Sequence, residues 1–160
     1  MVWRSSTTAL DRMCASLVYL LPLYDGIDYG RFLFAQFPLL SYLKYPLIPL
    51  AFVYSAFPLG LGSLLVFIIL FVAVVRNEKI PHFIRFNTMQ AILLSIVLTI
   101  ITLIYGFILQ PLVQGFLQEV LFNTIFLGVL VAVGYSVVQS ARGLYAEIPV
   151  ISEASYLYTR

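Results

Sequence analysis

The chain has 160 residues, of which 62% are hydrophobic and 10% charged, with a formal net charge of +2 at pH 7. Charged residues make up about a quarter of a soluble domain, so this composition, with a mean hydropathy of +1.01, excludes an ordinary water-soluble fold and predicts an all-α integral membrane protein. The small net charge gives no ground for nucleic-acid binding, and the lone Cys14 allows neither an internal disulfide nor a thiolate metal cluster.

Met1 to Thr8 is short and polar, carries Arg4, and reads as an exposed start without an Arg- and Ser-rich targeting segment. Thr8 to Tyr24 predicts the first membrane helix, near the lower length limit for a crossing, with Asp11 and Arg12 at or beyond one interface and the Arg12 side chain snorkelling outward. Cys14 reads as a small apolar residue of that helix. Asp25 to Tyr45 opens on the turn chemistry of Asp25-Gly26, places Asp28 and Arg31 at pairing distance in sequence, and crowds Phe32, Phe34, Phe37, Tyr42 and Tyr45 together. Aromatic residues with few charges suit the headgroup boundary, so 25–45 is expected as an interfacial or re-entrant segment between helices one and two. Pro46 and Pro49 open an uncharged run ending at Val75; Pro58, Gly60 and Gly62 inside it predict a second membrane helix over 47–75, kinked near Pro58, with Leu61 to Val75 as its straighter half.

The stretch Arg76 to Gln90, RNEKIPHFIRFNTMQ, is the one densely charged interval between two oily runs: nothing charged lies between Lys44 and Arg76, or between Arg85 and Glu119. The third crossing is expected over 81–110, opened by Pro81 and stopped by Pro111, and the fourth over 120–139, closed by Arg142 and by Gly143 as a C-terminal stop. Residues 143–160 form a tail to a single membrane domain. Four crossings put Arg4, Arg12, Arg76, Lys79, Arg85, Arg142 and Arg160 on one side with both termini, and only Arg31 and Lys44 on the other, which is the asymmetry of the positive-inside rule.

Between membrane helices, small residues permit close backbone approach and polar side chains bond across the gap. On the third helix Thr88, Ala91, Ser95, Thr99, Thr102 and Gly106 recur at alternating three and four spacing, and on the fourth Gly128, Ala132, Ser136 and Ser140 recur every four. These stripes are either a packing seam, between helices three and four or between copies of the chain, or the lining of a polar conduit. Asn87 and Gln90 each bring an amide that hydrocarbon penalises by a few kcal/mol when unpaired, placing Asn87 at the interface and Gln90 facing inward. His82 reads as a loop residue, Glu119 as an acid near a helix N-terminus, and with one histidine no catalytic constellation or metal cluster can be assembled. No enzymatic reaction and no cofactor are expected.

FIRFNTMQAILL (Phe83 to Leu94), YLLPLYDGIDYGRFLFAQFP (Tyr19 to Pro38) and GLYAEIPVISEAS (Gly143 to Ser155) together resemble the Tic20 family, the membrane subunit of the translocon at the inner chloroplast envelope, with cyanobacterial relatives. Arg85, Phe86, Asn87, Met89 and Gln90 carry the central motif. The resemblance implies four membrane helices with both ends on the stromal or cytoplasmic side. It also implies a part in a channel that moves preproteins, with other translocon subunits as partners and no cofactor. The chain departs from nuclear-encoded plastid members in showing no transit peptide, as expected of a cyanobacterial or plastid-encoded source or of a trimmed mature form. Four helices of this size cannot enclose a path for an unfolded chain, so partners or further copies would complete it. A small-solute transporter and a structural assembly factor are the alternative readings.

Overall fold

A computed structural model describes residues 7–58, 61–149 and 151–159, and every regular element among them is helical. The expectations resting on Arg4, Gly60 and Arg160 concern residues outside those described. Helix α1 (Ala9–Leu17) starts at a capping box: Thr8 N–H donates to Asp11 Oδ2 at 2.8 Å, and Asp11 N–H donates to Thr8 Oγ1 at 3.2 Å. Asp11 therefore satisfies helix-end amides that would otherwise lack partners. Arg12 folds back, Nε donating to Thr7 Oγ1 at 3.1 Å.

The chain stays helical well past Tyr24. After α2 (Leu20–Gly26) comes one 3₁₀ stretch, Ile27–Gly30, and then α3 (Arg31–Gln36). Asp25-Gly26 is thus not a turn that ends the first helix, and the expected aromatic segment shortens to the residues after Gln36. The reason lies in what the glycines do. Gly26 and Gly30 keep right-handed backbone angles. A Cβ on Gly26 would sit 2.9 Å from Val129 Cγ1, and one on Gly30 would sit 2.8 Å from Phe126 Cζ. They are small so that the long helix Phe116–Ala141 can approach, a packing use of glycine that sequence alone does not separate from its use in turns.

Pro38–Leu47 forms a 3₁₀ helix with Leu39, Tyr42 and Tyr45 exposed. The apolar run that follows is divided into α4 (Ile48–Ser55) and α5 (Leu61–Leu70), the latter extended by a π turn, Phe71–Val75. The two meet at close quarters, since a Cβ on Gly62 would lie 2.4 Å from the Tyr54 carbonyl oxygen. The end of the π turn is capped by Arg85, whose Nε donates to Val75 O at 2.8 Å. A buried cation at helix-end carbonyls complements their partial negative charge.

α6 (His82–Ile104) runs on through a second π turn, Tyr105–Leu109, and α7 spans Phe116–Ala141. Gly115 (φ 60) precedes α7 and Gly143 (φ 75) follows it. At that end Gly143 N–H donates to Ser140 O and Leu144 N–H to Gln139 O, both at 2.9 Å, the double bond of a Schellman stop. His82–Leu109 and Phe116–Ala141 are long and apolar enough to cross a bilayer. Only 11% and 28% of their most apolar stretches are buried within the protein, which sets them apart from the core helix of a soluble fold. Val97, Ile100, Leu103, Phe107, Val131 and Val138 stand exposed on them, a surface suited to lipid and not to water. The tail is not free: α8 (Ile151–Thr159) packs against α6.

α6 is the hub, touching α1, α2, α8 and the Phe71–Val75 turn, while α7 closes over α1, α2 and α3. The main core gathers Tyr19, Leu23, Phe126, Ala91, Leu98 and Val133. A smaller one, Val75, Met89 and Ile92, joins the end of the π turn to α6. Thr7, Arg12 and Gly143 meet at one end of the bundle, where a Cβ on Gly143 would lie 2.6 Å from Thr7 Oγ1. Gln36 and Glu119 meet at another place, Gln36 Nε2 donating to Glu119 Oε1 at 2.7 Å.

Gly30→Leu is expected to destabilise the protein by about 1–3 kcal/mol through overpacking against α7, whereas Gly134→Leu, at a position with nothing within 4 Å, should stay within about 0.5 kcal/mol of the parent. Detergent-denaturant unfolding followed by circular dichroism measures both; equal losses would contradict the close approach.

Candidate functional site

Three helices meet at a buried polar junction. Asn87, on α6, accepts at Oδ1 from the Tyr19 hydroxyl at 2.8 Å and from Ser140 Oγ at 2.9 Å, and its Nδ2 donates to Phe83 O at 2.8 Å. Gln90, one helical turn on, donates from Nε2 to the Tyr19 hydroxyl at 3.2 Å. Tyr19, Asn87, Gln90 and Ser140 are all 0% exposed. The Asn87 amide uses three of its four hydrogen-bonding sites, so burial leaves it paired instead of penalised. Gln90 Oε1, Thr88 Oγ1 and Ser136 Oγ are also buried and meet no hydrogen-bond partner among the described residues. Asn87 was expected at the interface; the structure buries it, because Tyr19 and Ser140 reach it from sequence distances that no local reading connects.

Next to the junction, the tail closes over the start of α6. His82 lies between Tyr145, whose hydroxyl is 3.1 Å from Nδ1, and Thr159, whose Oγ1 is 3.3 Å from Nε2. Phe86 packs on Tyr145 and Tyr156 with ring centroids 5.1 Å and 4.6 Å away, and Phe83 meets Tyr145 edge-on at 5.3 Å. Burial and then the neighbouring Glu147 carboxylate, which accepts from the Tyr156 hydroxyl at 3.2 Å, push the Tyr156 phenol up from 10.0 to about 12. His82 is thus a fastening point for the tail and not the loop residue expected.

A second polar feature is a groove of about 370 Å³ between α2, α4, α5 and α6. Asp25 of α2 faces Ser95 of α6, with Tyr54, Ser63 and Thr99 around them. No lysine, arginine or histidine among the described residues stands against Asp25. The Ser95 hydroxyl, though buried, does not reach hydrogen-bond geometry with any group of the described residues.

The stripe on α6 turns toward the first helical run. Of its members Ser95 meets Asp25 and Thr102 Oγ1 lies 2.8 Å from the Tyr29 hydroxyl, and Gln90, outside the stripe, meets Tyr19. Thr99 is exposed at the groove, its Oγ1 donating to Ser95 O at 2.9 Å. On α7 the every-fourth-residue stripe divides. Four residues advance about 400° on a 3.6-residue turn, so the set winds around the helix: Ser136 and Ser140 are buried at the junction, while Gly128 is exposed and shares with Ala132 a shallow groove beside Leu94 and Leu98. Arg85, Phe86 and Met89 of the central motif are buried as cap, aromatic contact and core respectively. Asp25 is the residue missed by sequence reasoning, and its place inside an apolar run was the available signal. Glu119 stands in the first turn of α7, bonded to Gln36.

Fold and site together define an all-helical protein with two helices of membrane-crossing length, locked through a buried amide junction. A family profile described as "Chloroplast import apparatus Tic20-like" matches residues 7–155. The chain belongs to this Tic20 family. A "Tic20 family protein" of Synechocystis sp. is 45% identical over 100% of this chain and 99% of its own length. "Protein TIC 20-v, chloroplastic" of Arabidopsis thaliana is 34% identical over 94% of this chain and 71% of its own. "Tic20 family protein Ycf60" of Gracilaria tenuistipitata var. liui is 33% identical over 92% of this chain and 74% of its own.

Asn87→Leu, which strands the Tyr19 and Ser140 hydroxyls, should cost about 2–3 kcal/mol, and Tyr19→Phe about 1 kcal/mol. The Tyr19→Phe loss should shrink sharply in the Asn87→Leu background, because the two groups share one network. Unfolding of the single and double variants in mild detergent measures the coupling, and strict additivity would contradict it.

Proposed function

We propose that the chain is a membrane-embedded subunit of a protein translocon, crossing the bilayer four times with both ends on the stromal or cytoplasmic side and bordering the path of a transiting polypeptide. The family match over residues 7–155 carries this reading, since that family is described as chloroplast import apparatus, and similar proteins of Arabidopsis thaliana are named chloroplastic. At ~1.5 Å per residue the helical run from Ala9 to Gln36 is about 40 Å long, enough for the first crossing. α4 and α5 share the second, Leu61–Val75 being apolar but short, and α6 and α7 are the third and fourth. Pro38–Leu47, with its exposed aromatic rings, lies at the headgroup boundary. The meeting of Thr7 and Arg12 with Gly143, and of α8 with the start of α6, supports common placement of the ends, with Arg31 and Lys44 opposite.

Among the described residues Tyr19, Phe86 and Phe126 pack the interior at 0% exposure, which supports a path that does not run through one copy. The path therefore runs along the outside of the bundle and is completed by other subunits, a second copy or both. Two surfaces face it: the Asp25 groove with Ser95, Thr99 and the nearby Thr102, and the Gly128 and Ala132 groove. Gln90 and Ser136 support those surfaces from within. The membrane would be the chloroplast inner envelope, or a cell membrane in a cyanobacterium.

Cysteines placed at Ser95 and Thr99, with Cys14→Ser to remove the native thiol, should form adducts with a precursor stalled in transit. Adducts only with lipid-soluble reagents, and none with the stalled chain from any position along the protein, would contradict the reading.

A further inference from the structure

Ser95 lies near the middle of His82–Leu109, so the Asp25 carboxylate facing it sits at the depth where a bilayer is driest. An ionised carboxylate there is penalised even on the lenient insertion scale, and is kept where a partner or a path requires it. No lysine, arginine or histidine among the described residues stands against Asp25 as its countercharge. Four of its described cations are engaged elsewhere: Arg12 at Thr7, Arg85 on Val75 O, Arg31 over the Phe122 ring and Lys44 over the Phe34 ring.

The shape of the groove narrows what can fill the gap. Its walls are apolar, made by Leu64, Phe67, Ile92 and Ile96, and its polar groups gather around Asp25 and Ser95. Leu64 and Ile96 are 51% and 38% exposed at its mouth, so it opens sideways from the bundle. A bare ion would leave the apolar walls unused, and a neutral solute would leave the carboxylate unpaired. A long alkyl stem ending in a cationic hydrogen-bond donor satisfies both, and that is the build of lysine and arginine.

We infer that this groove receives a basic side chain of the transiting polypeptide, with Asp25 as its countercharge and Ser95 as a neighbouring acceptor. The inference rests on the translocon reading and adds to it a site and a preference. Passage along an otherwise apolar surface would then be favoured at lysine and arginine, the residues whose transfer into hydrocarbon is among the costliest.

The test uses the full-length protein in its native membrane, with Cys14→Ser and Thr99→Cys, and a precursor stalled with one cysteine beside either a single arginine or a glutamine. The arginine precursor should give about tenfold more disulfide adduct at position 99, the factor that ~1.4 kcal/mol of pairing produces. Asp25→Asn should equalise the two precursors, and Asp25→Glu should keep the preference, which separates lost charge from lost folding. Equal adducts with Asp25 intact, or a preference surviving in Asp25→Asn, would overturn the inference while leaving the translocon reading standing. An adduct with a resident subunit in place of the stalled chain would overturn the choice of occupant. A stalled chain that reaches no cysteine anywhere on the protein would remove the translocon reading itself.

Discussion

One carboxamide in an apolar bundle sets the conditions for the rest. Asn87 cannot be left unpaired in hydrocarbon, and its partners come from two other helices: Tyr19 at the joint between α1 and α2, and Ser140 in the last turns of α7. Helix association in lipid lacks the apolar driving force that water provides, so a fixed set of hydrogen bonds does what burial alone would not. It defines which faces of α6 and α7 meet the first helical run. Gly26 and Gly30 are the steric counterpart, removing the side chains that would hold α7 away from that run.

The three stretches that carry the family resemblance touch one another. Tyr19 from the first bonds to Asn87 and Gln90 of the second, and Tyr145 of the third packs on Phe83 and Phe86. Arg85 of the second also closes the carbonyl end of the Phe71–Val75 turn. The RFNTMQ motif is therefore an assembly point for four parts of the chain. That places structural demand at one end of α6 and leaves its midpoint, around Ser95 and Thr99, to face an open groove. Stability and the proposed contact with a passing chain occupy different turns of the same helix.

The long helices were legible because their signals are local: uninterrupted apolar runs, a proline or charge cluster at each boundary, and Gly143 as a stop. What escaped depends on contacts distant in sequence. Asp25-Gly26 carries the letters of a turn, and only the nearness of Val129 shows why glycine stands there. Asp11 resembled a charge avoiding the membrane, although its spacing from Thr8 also spells a capping box. The tail gave no periodic pattern long enough to announce a helix, and its place is set by rings on α6. The α7 stripe was read as one face, but a four-residue repeat winds about a 3.6-residue helix, so Gly128 and Ser136 have different neighbours.

The four proposed crossings put the capped start of α1, the loop before α6 and the docked tail on one side of the bilayer, with the start of α7 on the other. Labelling with a membrane-impermeant maleimide in sealed, oriented vesicles reads this directly, using Cys14→Ser with single cysteines at Thr7, Lys79, Gln118 and Tyr158. The account predicts that positions 7, 79 and 158 label together from one face and position 118 only from the other. Labelling of 7 and 158 from opposite faces, or of all four from the same face, would contradict it.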